Sequence, residues 1–411
     1  MSFGAFEPEF EVVGPISIPQ TLSTYGGTSS STHTDENPRA LVELAVSMTT
    51  DLVDYSSSEY DADGDGHVDL VYIVQAGYGQ NSGGPGNTLW ARTGSHYTSV
   101  GDVNLCWFSI ASELNLNEAY WQNRNVDPQI NGVGVFCHEF SHAMGLPDIY
   151  PTVSSAYVNN QEMEYWDLMD GGEYTRNGYA PTSYTAWERE SMGWMDVELL
   201  DENQQALVIE PVNNGGKAYR FTNDADQTEY MMIENIQKEG WNAYIPGHGL
   251  MVYHVKWPST TVSSNQHPNN TAGKPGFAIV PADGLLVSSY LSGSGKTYTS
   301  QEYLNHHNGD LFPGTSNVTE LTYAQELPNY TWYTDGPEVN KALKNISEDT
   351  ETGKVSFDYI DDTKSGIRGV TTTTDESNQR IYTIDGRIVN SAPADLPSGI
   401  YVINNKKVLV K

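Results

Sequence analysis

The chain has 411 residues, of which 38% are hydrophobic and 18% are charged, and it is rich in tyrosine and tryptophan. This length predicts two or three folded domains with abundant β-structure and argues against disorder. The 53 acidic residues outnumber the 21 basic ones and give a formal charge of −32, so nucleic acid and anionic membranes are not expected partners.

The first predicted elements are a helix over residues 37–55 and two strands. Asn37 can cap this helix, and Pro38 fits its first turn. The run from Val68 to Val74 is apolar and β-branched, as expected of a strand that is buried on both faces. A second strand is expected around Leu105–Ile110, after a glycine-rich loop.

The next helix is predicted from Val133 to Met144, and Gly145 can end it in the left-handed conformation. These elements together predict a layered domain of sheet and helices over residues 1–200. Short alternating segments between glycine, proline and asparagine clusters then predict an antiparallel β-sandwich over residues 201–360. Its expected strands include Ala206–Glu210, Tyr230–Ile236, Leu250–Val255 and Val355–Tyr359.

The end of the chain is predicted to be small and all-β. Residues 361–377 are a polar, threonine-rich linker, and residues 378–411 are expected to form a β module. Within it, Asp385-Gly386 is a strong hairpin turn signal, and Asn404-Asn405 lies between apolar runs in the same manner. The whole chain is therefore expected to be an α+β protein.

One stretch of the second helix carries metal-ligand chemistry. His138 and His142 lie four residues apart, so a helix presents both imidazoles to one point, as a tetrahedral zinc requires. Glu139 lies beside that face, where its carboxylate can act on a metal-activated water without binding the metal. Gly145 allows a sharp turn, and Asp148 follows with an oxygen ligand, which completes the pattern HExxHxxGxxD.

A second segment supports this interpretation. Trp166–Gly172 matches a Met-turn around Met169, about twenty residues downstream of the zinc motif. The alternative is a core helix with two structurally satisfied histidines. The bare HExxH pattern arises by chance and does not decide between the two, whereas the added glycine, aspartate and Met-turn favour a metzincin-like zinc site.

Several segments resemble the immune inhibitor A-type metallopeptidases, namely His138–Tyr150, Tyr165–Gly172, Pro181–Glu188 and Met192–Trp194. The similarity extends upstream through an aspartate-rich loop and downstream to Glu234–Gln237 and Pro246–Leu250, and it covers about the first 360 residues. It implies a secreted bacterial endopeptidase with a zincin-type catalytic domain. In that family the zinc is held by the two histidines and the aspartate of the motif.

The expected reaction is hydrolysis of peptide bonds in proteins. Three protein ligands leave one zinc position for water, whose pKa the metal lowers. Glu139 would take the proton during attack on the peptide carbonyl and deliver it to the leaving amine. Tyr174 is a candidate hydrogen-bond donor to the oxyanion. An ordinary surface tyrosine is the alternative, because its spacing from Met169 exceeds that of the metzincin tyrosine.

A second metal site is predicted near the start of the first strand. Asp61, Asp63, Asp65 and Asp69 occupy positions 1, 3, 5 and 9 of an EF-hand-like loop, with glycine at position 6. Position 12 is Tyr72, so the bidentate glutamate is absent. Calcium is still predicted, because four neighbouring carboxylates are unfavourable without a cation. Its expected role is to fix the loop, and a solvated acidic turn is the alternative.

The two cysteines, Cys106 and Cys137, exclude a disulfide framework and a four-cysteine zinc module. They are interpreted as buried thiols, with a single bridge between them left open for an exported chain. The sequence has no apolar run of the roughly 18 residues that a membrane helix needs. Met1–Phe6 lacks the features of a secretion signal, so a signal is expected to be missing or already removed.

The two ends of the chain lead to opposite expectations. Ile381–Arg387, Leu396–Val402 and Lys406–Lys411 resemble the C-terminal sorting domains read by the type IX secretion system of Gram-negative bacteria. A small accessory β module is the alternative, and both agree with export. Residues 2–6 resemble an internal segment of the family's catalytic domain, so its first strand and helix are expected to be missing.

The sequence thus predicts an exported zinc endopeptidase that acts on proteins or peptides. The alternative is a non-catalytic surface-binding or adhesion protein that retains a structural metal site. Glu139 favours the enzyme, since a purely structural zinc does not need this carboxylate. The ligands alone leave open a zinc hydrolase that acts on another acyl substrate.

Overall fold

The computed structural model describes residues 1–27, 35–158, 160–257, 263–289, 300–364, 381–383, 386–389, 396–403 and 406–410. They form two compact units, Met1–Ile360 and Asp361–Lys411. The first unit combines helices and sheets, as the sequence predicts. Among the described residues, no helix combines the length and the apolar character needed to cross a bilayer.

The helices are α1 Pro38–Thr49, α2 Glu118–Arg124, α3 Val133–Ala143, α4 Ala186–Ser191 and α5 Ser300–His307. The strands before the tail are β1 Val71–Tyr78, β2 Arg92–Val100, β3 Val103–Leu114, β4 Val197–Leu199, β5 Gln204–Ile209, β6 Ala218–Asn223, β7 Asp226–Ile236, β8 Gly249–Lys256, β9 Phe277–Ile279, β10 Lys341–Asp349 and β11 Lys354–Asp361.

The N-terminal sheet has the strand order β1-β3-β2, with β1 parallel and β2 antiparallel to the central β3. Side chains alternate between the two faces of β3. Phe108 and Ile110 belong to the core that also contains Val42 of α1. Ala111 packs with Val135 of α3. The sheet is therefore covered by α1 on one face and by the helix of the zinc motif on the other.

Two expectations for this region are wrong. The first helix ends at Thr49 rather than near residue 55, and Leu52, which extends the apolar pattern, is exposed in the turn that follows. The strand expected at 68–74 begins at Val71 and is not buried on both faces, since Val74 is 60% exposed. The reason is its place in the sheet, because β1 is an edge strand and the central position belongs to β3.

The helix of the zinc motif is confirmed. It ends at Ala143, and Gly145 follows with φ 103°, a left-handed conformation that glycine adopts without a steric penalty. Its first turn also depends on a glycine. A β-carbon added at Gly134 would lie 1.9 Å from the carbonyl oxygen of Glu173, so the chain after the Met-turn packs directly on the helix backbone.

The second half of the unit contains two sheets, of order β4-β6-β7-β8-β9 and β10-β11-β5. The four predicted strands are confirmed as parts of β5, β7, β8 and β11. β4, which lies just before the predicted sandwich, runs parallel to β6. Between β4 and β6 the chain passes through β5 in the other sheet, so it returns to the first sheet in the same direction.

Both faces of the five-stranded sheet are covered. On one face, Ile233 and Val252 share a core with Val355 and Phe357 of the three-stranded sheet. On the other face, Met232 and Tyr253 belong to the core that contains Trp166, Met169 and Trp187. Residues on both sides of the predicted boundary at residue 200 therefore share one core, within a single compact unit.

The described residues of the second unit contain four strands. Its strands are β12 Ile381–Thr383, β13 Ile388–Val389, β14 Gly399–Ile403 and β15 Lys406–Val410. They pair antiparallel in the order β13-β12-β14-β15. In the predicted hairpin turn Gly386 has φ 81°. Asp385, Asn404 and Asn405 lie outside the described residues, as does the linker beyond residue 364.

Candidate metal centre

Three predicted ligands meet at one point beside α3. The Nε2 atom of His142 lies 3.1 Å from Oδ1 of Asp148, and the Nε2 atom of His138 lies 3.4 Å from the same oxygen. Helical spacing places the two imidazoles next to each other. The turn at Gly145 then returns the chain so that Asp148 faces both of them. The three groups are close enough to bind one ion.

The backbone fixes the orientation of both histidines. Nδ1 of His138 lies 3.1 Å from the carbonyl oxygen of Leu168, and Nδ1 of His142 lies 2.7 Å from that of Leu146. A carbonyl oxygen only accepts, so each Nδ1 carries the proton and donates it. In the neutral imidazoles the Nε2 lone pairs therefore point toward Asp148, which is the tautomer that binds a metal.

These residues fit a zinc ion. Oδ1 of Asp148 is buried and has no hydrogen-bond partner among the described residues. Burial alone would raise the pKa of Asp148, but before a metal binds the protonated imidazoles of His142 and His138 hold it well below its usual range, so the carboxyl is ionised. Two imidazole nitrogens and one carboxylate oxygen are a common donor set of catalytic zinc sites, which keep a fourth position open.

Glu139 lies beside the ligands on the same helix and is 5% exposed. Burial raises the pKa of its carboxyl, while His138 and His142 lower it. Thr93 of β2 holds this residue, because its hydroxyl lies 2.6 Å from the carbonyl oxygen of Glu139 and 3.0 Å from its carboxylate. Ser109 of β3 lies 2.7 Å from the same hydroxyl. No sequence pattern points to Thr93, which precedes Glu139 by 46 positions.

The predicted Met-turn passes directly beneath the centre. Met169 is fully buried, and its carbonyl oxygen accepts a 2.9 Å hydrogen bond from the amide of Ile149, next to the ligand Asp148. Its amide donates to Asp167 over 2.7 Å. The neighbouring carbonyl of Leu168 orients His138. Backbone groups of the turn therefore hold two of the three ligands in position, His138 directly and Asp148 through its neighbour Ile149.

Tyr174 and Glu173, which follow the Met-turn in the sequence, both line the cleft. Tyr174, the oxyanion candidate, is 44% exposed and lines the same cavity as Glu139. Glu173, which the sequence analysis missed, is only 6% exposed and places Oε2 3.8 Å from Nδ1 of His138. Burial raises the pKa of Glu173 to about 7, although His138 lowers it.

The cleft is an open cavity of about 510 Å³ above the ligands. Its walls come from β2, α3, the Met-turn region and the connection between β8 and β9, which contributes Asn265 and His267. Two side chains tie that connection to the loop after Asp148. Asn269 donates to the carbonyl of Ile149 over 2.5 Å, and Asn270 accepts from the amide of Thr152 over 2.7 Å. The sequence analysis did not predict this wall.

The aspartate-rich loop brings three of its four predicted carboxylates together. Asp61, Asp63 and Asp65 are close enough to bind one ion. Asp69 is not in this group, and its Oδ2 accepts a 3.0 Å hydrogen bond from the amide of Ala62. The loop is also tied by the amide of Asp65, which donates to Asp61 over 2.9 Å.

The cysteines do not form a bridge. Both thiols are free, and Cys106 is buried. Its sulfur lies 3.3 Å from the carbonyl oxygen of Val68. Burial raises the pKa of Cys106 and of Cys137 to about 11. Both residues are therefore protonated thiols at neutral pH.

Comparison with known proteins agrees with this geometry. The sequence profile of the immune inhibitor A peptidase M6 catalytic domain matches residues 1–195. The chain is 26% identical over 215 residues to Immune inhibitor A of Bacillus thuringiensis subsp. alesti, which is 46% of this chain and 30% of that protein. It is 28% identical over 207 residues to the Pre-pro-metalloprotease PrtV of Vibrio cholerae serotype O1 (strain M66-2), which is 44% of this chain and 22% of that protein.

The profile match includes the part of this chain that contains the candidate metal centre. The two alignments span less than a third of either relative. The first 195 residues are thus similar to a metallopeptidase catalytic domain.

Proposed function

We propose that this chain is a zinc-dependent endopeptidase that hydrolyses peptide bonds in proteins. The observation that carries the proposal is the meeting of His138, His142 and Asp148 beside Glu139 in an open cleft. The similarity of residues 1–195 to a peptidase catalytic domain, and the name metalloprotease of one relative, support the same reaction class.

The residues have distinct roles in this proposal. His138, His142 and Asp148 hold the zinc, which when bound supplies a Lewis acid that activates water and polarises the scissile carbonyl. Glu139 takes a proton from the attacking water and delivers it to the leaving amine. Thr93 keeps the carboxylate of Glu139 in place through the hydroxyl that lies 3.0 Å from it.

Two further residues have supporting roles. Met169 supports the centre structurally, since the backbone around it contacts His138 and the residue after Asp148. Tyr174 is retained as a candidate donor to the oxyanion, on the basis that it lines the cleft.

The domain plan belongs to the same proposal. Residues 1–200 form a zincin-type catalytic domain, and residues 201–360 form a β-sandwich whose two sheets share a core. The sheet packed against Met169 stiffens the floor of the catalytic centre. Residues 361–377 link this part to the module at 378–411.

Export is the expected setting of this enzyme. The tail module resembles sorting domains of type IX secretion, and its four-stranded antiparallel sheet is compatible with that role. The strongly acidic composition and the two free thiols do not conflict with a secreted or cell-surface location in a bacterium. Protein and peptide substrates, together with the secretion machinery, are the proposed partners.

Calcium is the second proposed metal. Asp61, Asp63 and Asp65 offer three neighbouring oxygens, and oxygen ligands of this kind suit Ca²⁺. The loop leads into β1 of the N-terminal sheet. The ion would therefore stabilise the loop and take no part in the reaction.

The test combines metal analysis with proteolysis. The purified chain should contain one zinc per molecule and cleave casein, while Glu139→Ala should keep the zinc and lose cleavage. Glu118→Ala on the exposed surface of α2 is the matched control and should retain activity. Stoichiometric zinc without cleavage by the unaltered protein would overturn the proposal and favour the non-catalytic binding protein.

A further inference from the structure

The cleft contains a carboxylate with no role in the proposed reaction. Glu173 lines the cavity of the metal centre although only 6% of its surface is exposed. Its backbone is pressed against the first turn of α3, where only glycine fits at position 134. The backbone that carries this carboxyl group is therefore packed directly against the helix of the metal ligands.

Glu173 does not orient the ligand His138. The Nδ1 proton of that histidine already goes to the carbonyl oxygen of Leu168 at 3.1 Å, whereas Oε2 of Glu173 lies 3.8 Å away. The longer distance exceeds that of a hydrogen bond. Glu139 supplies the base, so the reaction does not need Glu173 for proton transfer either.

Few groups near Glu173 can balance its charge when it ionises. In the described part of the chain no lysine or arginine forms an ion pair with it, and Arg176, three residues further on, stacks on Tyr244 at 4.1 Å. A hydrogen bond from Tyr174 assists the carboxylate, while Glu139 and Asp148 add further negative charge nearby. A buried carboxylate is stable when it is paired with a cation.

The position of Glu173 suits a substrate side chain. Its Oε2 lies at most about 8 Å from the metal point, because the imidazole of His138 and a Zn–N bond of about 2 Å separate them. The flexible stem of a lysine, or the longer side chain of an arginine, spans such a distance from a residue next to the scissile bond. Buried Val135 lies in the same wall and offers apolar contact to that stem.

We infer that Glu173 is a specificity-determining residue, which pairs with a lysine or arginine adjacent to the scissile bond and directs the enzyme to basic sites in proteins. This inference rests on the proposed peptidase function. The substrate would supply a lysine or arginine partner, which the described residues do not provide. Acidic side chains at the same substrate position would be rejected by repulsion from Glu173, Glu139 and Asp148.

The first experiment identifies the substrate position, next to the scissile bond, at which the enzyme prefers a basic side chain. The zinc-loaded protein is given a mixed peptide library, and the cut positions are read by mass spectrometry. Matched peptides then carry lysine, acetyl-lysine or norleucine at the preferred position, so that length is kept while charge is removed. For the unaltered protein we expect kcat/KM to be about 10-fold or more higher with lysine, in line with the worth of a desolvated ion pair.

The variant Glu173→Gln tests the residue itself. The ratio of lysine to norleucine kcat/KM should fall to about 1, whatever the absolute rate of the variant, while the surface control Glu118→Gln keeps the ratio. A second readout needs no turnover. Calorimetry on zinc-loaded Glu139→Gln should show tighter binding of the lysine peptide than of the norleucine peptide, and the added Glu173→Gln change should remove the difference.

The possible failures are distinguishable. Cleavage without a basic preference, or a ratio that Glu173→Gln leaves unchanged, would overturn the inference and leave the peptidase function standing. Equal loss of kcat on all peptides with an unchanged ratio would make Glu173 a positioning residue. An unaltered protein that cleaves none of the peptides would overturn both the function and the inference. If Glu173→Gln does not fold, the unaltered protein can still be compared on lysine and acetyl-lysine peptides. Equal kcat/KM on the two peptides would overturn the preference for a basic side chain.

Discussion

The hydroxyl group of Thr93 lies 2.6 Å from the carbonyl oxygen of Glu139 and 3.0 Å from its carboxylate. One residue of an edge strand thus holds both the backbone and the side chain of the proposed base. Because the carboxylate is buried, its position depends on the few polar groups that reach it.

Replacing Thr93 by valine should therefore impair catalysis more than binding. Loss of a hydrogen bond to the carboxylate costs about 1–2 kcal/mol, so kcat should fall roughly 10-fold with little change in KM. Thr93→Ser should restore the rate, since it keeps the hydroxyl. Thr98→Val, the same change further along β2, is the control. If Thr93→Ser and Thr93→Val lowered the melting temperature equally, and kcat fell in parallel with it, the role of Thr93 would be purely structural.

Asp148 should control zinc affinity. Asp148→Asn keeps the size of the side chain but replaces an ionised oxygen ligand with a neutral amide. We expect the dissociation constant for zinc to rise more than about 100-fold, since even the groups behind the ligands contribute 10–100-fold. Competition with a chelating dye measures this constant. Glu139→Gln is the matched control and should bind zinc as the unaltered protein does, and equal zinc affinity in both variants would exclude Asp148 as a ligand.

The aspartate-rich loop should make thermal stability depend on calcium. Removing divalent ions with a chelator should lower the melting temperature, and adding calcium but not zinc should restore it, because the ion binds only the folded loop. The double change Asp63→Ala/Asp65→Ala should abolish this response. If the altered protein still responded to calcium as before, the ion would bind elsewhere.

The buried carboxyl group of Glu234 should make the folded protein less stable as the pH rises. Burial raises the pKa of this carboxyl from 4.5 to about 7, and the backbone amide of Ala186 and Arg189 oppose the shift. The folded state then binds the proton more tightly than the unfolded state, so its stabilising effect is complete below pH 4.5 and is lost as the pH rises to about 7.

The loss from this single group is about 3 kcal/mol. Glu234→Gln cannot ionise, so urea unfolding at several pH values should show a shallower decline of unfolding free energy between pH 4.5 and about 7. Comparing slopes avoids any difference in absolute stability between the two proteins. An unchanged slope would mean that Glu234 is not the group responsible.

Gly134 should tolerate no side chain. An added β-carbon would meet the carbonyl oxygen of Glu173 at 1.9 Å, a backbone atom that cannot move without shifting the Met-turn region. Gly134→Ala should therefore destabilise the chain by at least about 2 kcal/mol. Gly171→Ala is the control, because its added carbon would come no closer than 3.4 Å to a neighbour. Equal melting temperatures for both variants would contradict this packing.

The local elements were largely predictable. The helix of the zinc motif, its end before Gly145 and the strands around residues 206, 230, 250 and 355 follow from apolar periodicity and from glycine at helix ends. The sequence-based predictions failed where a partner in the folded structure determines the exposure or the hydrogen bonding of a residue. Val74 is exposed because β1 is an edge strand in the described part of the chain. Asp69 is not in the three-carboxylate group, and it accepts a hydrogen bond from a loop amide instead. Neither partner is visible in a local pattern.

The sequence alone determined the candidate ligands, because His138, His142 and Asp148 lie within eleven residues whose spacing is set by one helix and one turn. Only the tertiary structure brought in Thr93, Glu173 and the wall around His267. Thr93 comes from a separate strand, and Glu173 comes from the loop beyond the Met-turn. The wall around His267 comes from the β8–β9 connection, where Asn270 bonds to Thr152, 118 residues earlier in the chain. Their approach depends on packing of sheets and glycine backbones, which has no fixed period along the chain.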